Sequence, residues 1–130
     1  VSEAWQATKL KTLLCNFVKL EGAFDTLMPP SRRHSSYCQS IRQQLGGTNV
    51  AVRKFNACSS VEDLVSTVNP SGDSYFKLNL QGLVSVPQRS PASPGLLEFR
   101  QAAASQNPAK IMGFIVLFMK FVEYSLAGNT

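Results

Sequence analysis

Apolar side chains recur at three- and four-residue spacings near the start of the chain. Leu10, Leu13, Leu14, Phe17, Phe24, Leu27 and Met28 lie within residues 4–28, the period of one helix face. Lys9, Lys11, Lys19 and Glu21 fall mostly on the opposite, wet side. Pro29-Pro30 must end this helix, because proline lacks the amide donor and restricts the residue before it. Tyr37, Ile41 and Leu45 recur every four residues. They predict a short helix after Ser35-Ser36, closed by Gly46-Gly47 in a left-handed conformation. In CSSVEDLVSTV, Ser59 and Glu62 have the spacing of a capping box and predict another short helix.

The period then changes from helical to alternating. In YFKLNLQG, Phe76, Leu78 and Leu80 share one face, while Tyr75, Lys77, Asn79 and Gln81 share the other. In LLEFR, Leu97 and Phe99 face one way and Leu96, Glu98 and Arg100 the other. Such alternation marks half-buried strands. The proline-rich connector PQRSPASPG is a loop that allows an antiparallel pair. The closing segment predicts a long helix with Asn107 as N-cap and Pro108 at its first position. Its main stripe is Ile111, Phe114, Phe118, Val122 and Leu126, widened by Met119 and Phe121, so the helix is expected to pack on two sides; Gly128 ends it. The fold class is therefore α+β: several helices packed on a small antiparallel sheet, in one domain or part of one over residues 1–130.

Composition narrows the functional classes. Thirteen basic against eight acidic residues give a net charge of +5, which favours anionic ligands. Apart from Arg32-Arg33 and Arg53-Lys54 the basic residues are scattered, which argues against nucleic acid. The apolar run 111–119 is shorter than the roughly 20 residues that span a bilayer, which argues against a membrane segment. The three cysteines, Cys15, Cys38 and Cys58, have neither a disulfide-framework nor a zinc-site spacing. Unpaired thiols and the absence of a signal-peptide pattern predict a cytoplasmic protein. His34 stands alone as the one histidine.

The candidate chemistry lies on the polar strand face. Arg100 offers a planar fork for phosphate or carboxylate oxygens. Glu98 can orient that fork or hold a divalent cation. Lys77 adds a point charge, and Asn79 adds both a donor and an acceptor. The competing expectation is an outer sheet face with cross-strand ion pairs, each worth about 0–1 kcal/mol.

In order along the chain, PPSRRHSSYCQS, YFKLNLQGL and LEFRQAAASQNPAKIMGFIVLFMKFVEYS resemble the C-terminal half of the amidoligase family. These carboxylate–amine ligases are similar to glutamine synthetases and glutamate–cysteine ligases. The resemblance spans residues from about 5 to 127 and implies part of a glutamine synthetase-like domain, in which the polar face of an antiparallel sheet holds ATP and magnesium. The implied reaction phosphorylates a carboxylate with ATP, and an amine then displaces the phosphate. It implies Glu98 and Arg100 as catalytic residues, Glu98 as a metal ligand, and Lys77, Asn79, Arg32 and Arg33 as nucleotide-site residues.

Family members also carry paired acidic residues and a Gly-x-His-x-His segment upstream, and often Arg-Gln-His where this chain reads Arg100-Gln101-Ala102. With those features absent, the chain is expected to be incomplete as a catalyst alone. It would need its own N-terminal half or a partner chain. The alternative is a degenerate, non-catalytic module that pairs with a partner through an open sheet edge.

Overall fold

The computed structural model describes residues 6–84 and 95–129. Most of the 87–95 connector lies outside the described residues. Among these residues six α-helices and one two-stranded antiparallel sheet follow one another: α1 (Ala7–Asp25), α2 (Pro30–Arg33), α3 (Ile41–Gln44), α4 (Thr48–Ala57), α5 (Val61–Val68), β1 (Leu78–Asn79), β2 (Glu98–Phe99) and α6 (Pro108–Leu126). Short 3₁₀ turns at Pro70–Gly72 and Gln81–Leu83 flank the approach to and exit from β1. The α+β class expected from the alternating and helical periods is what the structure has.

α1 is the central element. Its apolar stripe places Leu10, Leu13, Leu14, Phe17, Val18 and Phe24 in the core, where they meet Phe55 of α4, Leu64 and Val68 of α5, and Phe76, Leu78 and Leu80 around β1. One side of α6 closes this core. Phe121 is buried, Phe118 stacks on Phe99 at 4.5 Å between ring centres, and Phe24 meets Phe121 edge-on at 5.3 Å. Offset and edge-to-face aromatic pairs add about 1 kcal/mol each beyond the area they bury. Asn16 of α1 fixes the helix's register by donating to the Ser125 hydroxyl and the Asn129 carbonyl.

The strand pair keeps the apolar faces together, as the alternation implies. Leu78 faces Phe99 on the core side and Asn79 faces Glu98 on the outer side. Pairing extends one step further, with the Arg100 amide donating to the Lys77 carbonyl. On the other edge of this segment, Gln39 bridges Phe76 in parallel sense. Gly82 permits a close approach here, because a Cβ at that position would collide with the Leu96 carbonyl.

Several local expectations are corrected. Tyr37 is exposed and precedes α3, which starts at Ile41 with Ser40 as its cap. Glu21, expected on the wet side of α1, is fully buried and shifts that start: its carboxylate accepts from the Ser40 hydroxyl and from the amides of Ile41 and Arg42, satisfying donors a helix start leaves open. The capping box of α5 lies one residue on, at Ser60 and Asp63 rather than Ser59 and Glu62. α4 has no counterpart in the apolar pattern, because only Ala51 and Phe55 are buried and its N-cap is Gly47, which offers no side chain. On α6, Ile111, Leu126 and also Met119 are exposed, so the described residues pack the helix on one side rather than two, through Leu117, Phe118, Phe121, Val122 and Ser125. The asparagine cap and first-turn proline of α6 are as the sequence predicts, with the Asn107 side chain accepting from the amides of Ala109 and Lys110. Gly46 and Gly47 both hold positive φ, as the turn requires.

Candidate functional site

The segments that carry the motif residues converge on Arg100. Its Nη1 donates to Glu98 at 2.9 Å, and its Nη2 lies 3.4 Å from the Tyr37 carbonyl. Its guanidinium carbon sits 5.6 Å from the centre of the Tyr75 ring, within cation–π range. Tyr75 in turn meets Tyr37 edge-on at 5.4 Å. The Arg100 carbonyl accepts from Arg32 Nη2 and from the Cys38 thiol. Asn79 Nδ2 approaches Glu98 at 3.5 Å. Residues from α2, the loop before α3, β1 and β2 thus assemble around Arg100 and its partner Glu98, and a quarter of the Arg100 side chain remains open to solvent.

The sequence-based candidates separate into two groups. Asn79, Glu98 and Arg100 form the open part, with Tyr37 and Tyr75 as an aromatic border that periodicity alone did not single out. Lys77 is the correction: it does not share that open face. It is 1% exposed, and its ammonium is spent on the Asp25 carboxylate and the Arg33 carbonyl. The end of α1 and the α2 turn close over it. Asp25 also accepts from Gln101 Nε2 at 2.9 Å, so a buried polar network underlies the site.

Arg32 and Arg33 lie near the site but point their donors at backbone. Arg33 Nε donates to the carbonyls of Asp25 and Met28, both at 2.9 Å, and Nη2 reaches that of Thr26. These contacts satisfy carbonyls that the end of α1 leaves open and place a cation at the negative end of the helix. Arg32 ties α2 to β2 through the Arg100 carbonyl. Both arginines therefore position the frame around Arg100. Cys38 is buried among them, and burial pushes its thiol above the usual range despite the opposing charges of Arg32 and Lys77.

An open, mostly polar pocket of about 430 Å³ lies alongside, lined by Arg33, His34, Ser35, Ser36, Gln43 and Gln44 among others. It shares Cys38 and Gln39 with the frame but does not include Glu98 or Arg100. His34 is exposed at the end of α2 and belongs to no group of three or more His, Cys, Asp or Glu among the described residues.

The fit to ATP and magnesium differs between the two. An oxyanion suits the Nη2 edge of Arg100, which is held only by a long contact. A divalent cation on Glu98 would stand beside the guanidinium that already neutralises this carboxylate. No group of three or more His, Cys, Asp or Glu gathers to hold a metal among the described residues. Glu98 is placed to orient Arg100, and the described residues do not make a magnesium site. Comparison with protein-family models, curated proteins and solved structures gives no match to this chain.

Proposed function

We propose that this chain supplies the phosphate-facing wall of an ATP-dependent carboxylate–amine ligase of the amidoligase type, and is incomplete as a catalyst by itself. The observation that carries this reading is the convergence on Arg100. Residues from each of the three stretches that resemble the amidoligase family meet around one arginine with a partly open guanidinium, although they stand up to 68 positions apart. In this reading Arg100 contacts a phosphoryl oxygen through its Nη2 edge. Glu98 holds the fork in orientation, and Asn79 offers a neighbouring donor and acceptor. Arg32 and Arg33 act as positioning residues, and Lys77 is a buried strut. The carboxylates that bind magnesium come from outside the described residues, from another segment or a partner chain.

A guanidinium held in place before charge develops is the arrangement that stabilises phosphoryl transfer and acyl-phosphate breakdown. Thermal shift with ATP, with and without magnesium, tests the reading on the wild type and on Arg100→Ala. ATP is expected to raise the melting temperature of the wild type and not that of the variant. Equal shifts in both proteins exclude Arg100 as the phosphate contact. A non-catalytic interaction module is the second reading, favoured by the uncovered apolar side of α6.

A further inference from the structure

Tyr37 and Tyr75 border Arg100, and both stay wet: Tyr37 is 62% exposed and Tyr75 47%. A single exposed tyrosine on a soluble protein needs no explanation. Here two of them meet edge-on at 5.4 Å, and the Arg100 guanidinium carbon lies 5.6 Å from the Tyr75 ring centre. The Nη2 edge of Arg100, the edge left for an oxyanion, lies 3.4 Å from the Tyr37 main-chain carbonyl. One residue therefore sets its backbone beside the anion edge and its exposed ring a side-chain length away. Both tyrosines are held by their main chain. The Tyr37 amide donates to the Ser35 hydroxyl at 3.1 Å. The Tyr75 amide donates to Asp73 at 2.8 Å, and the Tyr75 carbonyl accepts from the Gln39 amide at 2.7 Å. A surface fixed in this way loses little freedom when a ligand settles on it.

We propose that Tyr37, braced by Tyr75, is the stacking surface for the base of the nucleotide whose phosphate Arg100 contacts. The proposal rests on the reading of Arg100 as a phosphate contact and supplies the other end of the ligand. A nucleotide joins an anion to a flat aromatic face through one sugar. An open guanidinium edge and an open ring on adjoining backbone match those two ends. Tyrosine offers a large, rigid face with few rotatable bonds. Stacking of a base on such a ring needs no base-specific hydrogen bond. Tyr75 has a different duty. Its ring lies against the guanidinium and keeps Arg100 in place, and it supports the Tyr37 ring from the side.

The test is isothermal titration of the full chain with ATP and with inorganic tripolyphosphate, which carries the phosphate chain without a base. Wild type is compared with Tyr37→Ala, Tyr37→Phe and Arg100→Ala. Tyr37 is exposed, so its variants are expected to keep the wild-type melting temperature. Tyr37→Ala is expected to weaken ATP about fivefold or more and to leave tripolyphosphate unchanged. Tyr37→Phe is expected to bind both ligands as wild type does, since the ring and not the hydroxyl stacks. Arg100→Ala is expected to lose both. A Tyr37→Ala protein that binds ATP as tightly as wild type, or that weakens ATP and tripolyphosphate by the same factor, overturns the stacking surface. Loss of tripolyphosphate in Arg100→Ala would still uphold the phosphate contact in that case. A wild type that binds neither ligand, or an Arg100→Ala protein that binds tripolyphosphate as wild type does, overturns the phosphate reading and the stacking surface with it.

Discussion

The ammonium of Lys77, next to β1, is sealed against the carboxylate of Asp25 at the end of α1, 52 positions earlier in the chain. Lys77 is 1% exposed and the Asp25 side chain 18%. This ion pair ties the central helix to the sheet directly beneath the Arg100 cluster, with Gln101 and the Arg33 carbonyl completing its hydrogen bonds.

Breaking one half of this pair should cost more than removing both. Asp25→Ala leaves a buried ammonium without its counter-charge, a change that costs about 3 kcal/mol or more. Pairing Asp25→Leu with Lys77→Met removes the charges together and should recover much of that loss. Urea unfolding of the single and double variants measures the difference. A double variant less stable than Asp25→Ala alone would contradict the pairing.

The three thiols should divide by reactivity. Cys15 and Cys38 are buried, and burial pushes both thiols above the usual range, against the opposing charges of Lys19 and Lys11 on Cys15 and of Arg32 and Lys77 on Cys38. Little thiolate, the reactive form, is then present at neutral pH. Cys58 is half-buried, close to the Lys54 carbonyl and the Thr67 hydroxyl. Titration of the native protein with a disulfide reagent should show one fast equivalent, and denaturant should release the other two. Three equally fast equivalents would contradict this packing.

Acid should weaken the start of α5. Hydrogen bonds from the Ser59 amide and hydroxyl, with further help from Ser60, hold the Asp63 carboxyl below its usual range. Its folded value is thus lower than in the unfolded chain, where it is about 3.9. The stability it contributes is fully present above that pH and is lost as pH falls through the lower folded value. Asp63→Asn should therefore be less stable than wild type at neutral pH. The gap should close on acidification, as read from urea midpoints across that range. A gap independent of pH would assign Asp63 no charged role in the cap.

Legibility in the sequence follows the range of the interactions involved. α1 and α6 were evident because a helix face repeats within a few residues, and Asn107-Pro108 and Gly46-Gly47 mark boundaries by their own backbone chemistry. The core-facing sides of Leu78 and Phe99 and the outer sides of Asn79 and Glu98 were evident for the same reason, since alternation is local, whereas which of them stand opposite each other was not. α4 was not evident, because two buried positions, Ala51 and Phe55, do not make a pattern. The start of α3 escaped because its cap depends on Glu21, a residue of another helix. Glu98 and Arg100 were found together because they stand two residues apart on one strand face. The tyrosine border and the inward turn of Arg33 depend on neighbours from distant segments.

By itself the sequence determined where backbone hydrogen bonds close into helices and strands, and which strand face is greasy, because those choices are settled by neighbours a few positions away. Only the tertiary structure decided which polar side chains lose their water. Lys77 and Asn79 alternate correctly on paper, yet one is sealed and the other open, because the end of α1 brings Asp25 over Lys77 alone. It likewise decided which apolar side of α6 is the core side, because Phe24 and Phe99 offer their rings to one side and nothing among the described residues covers the other.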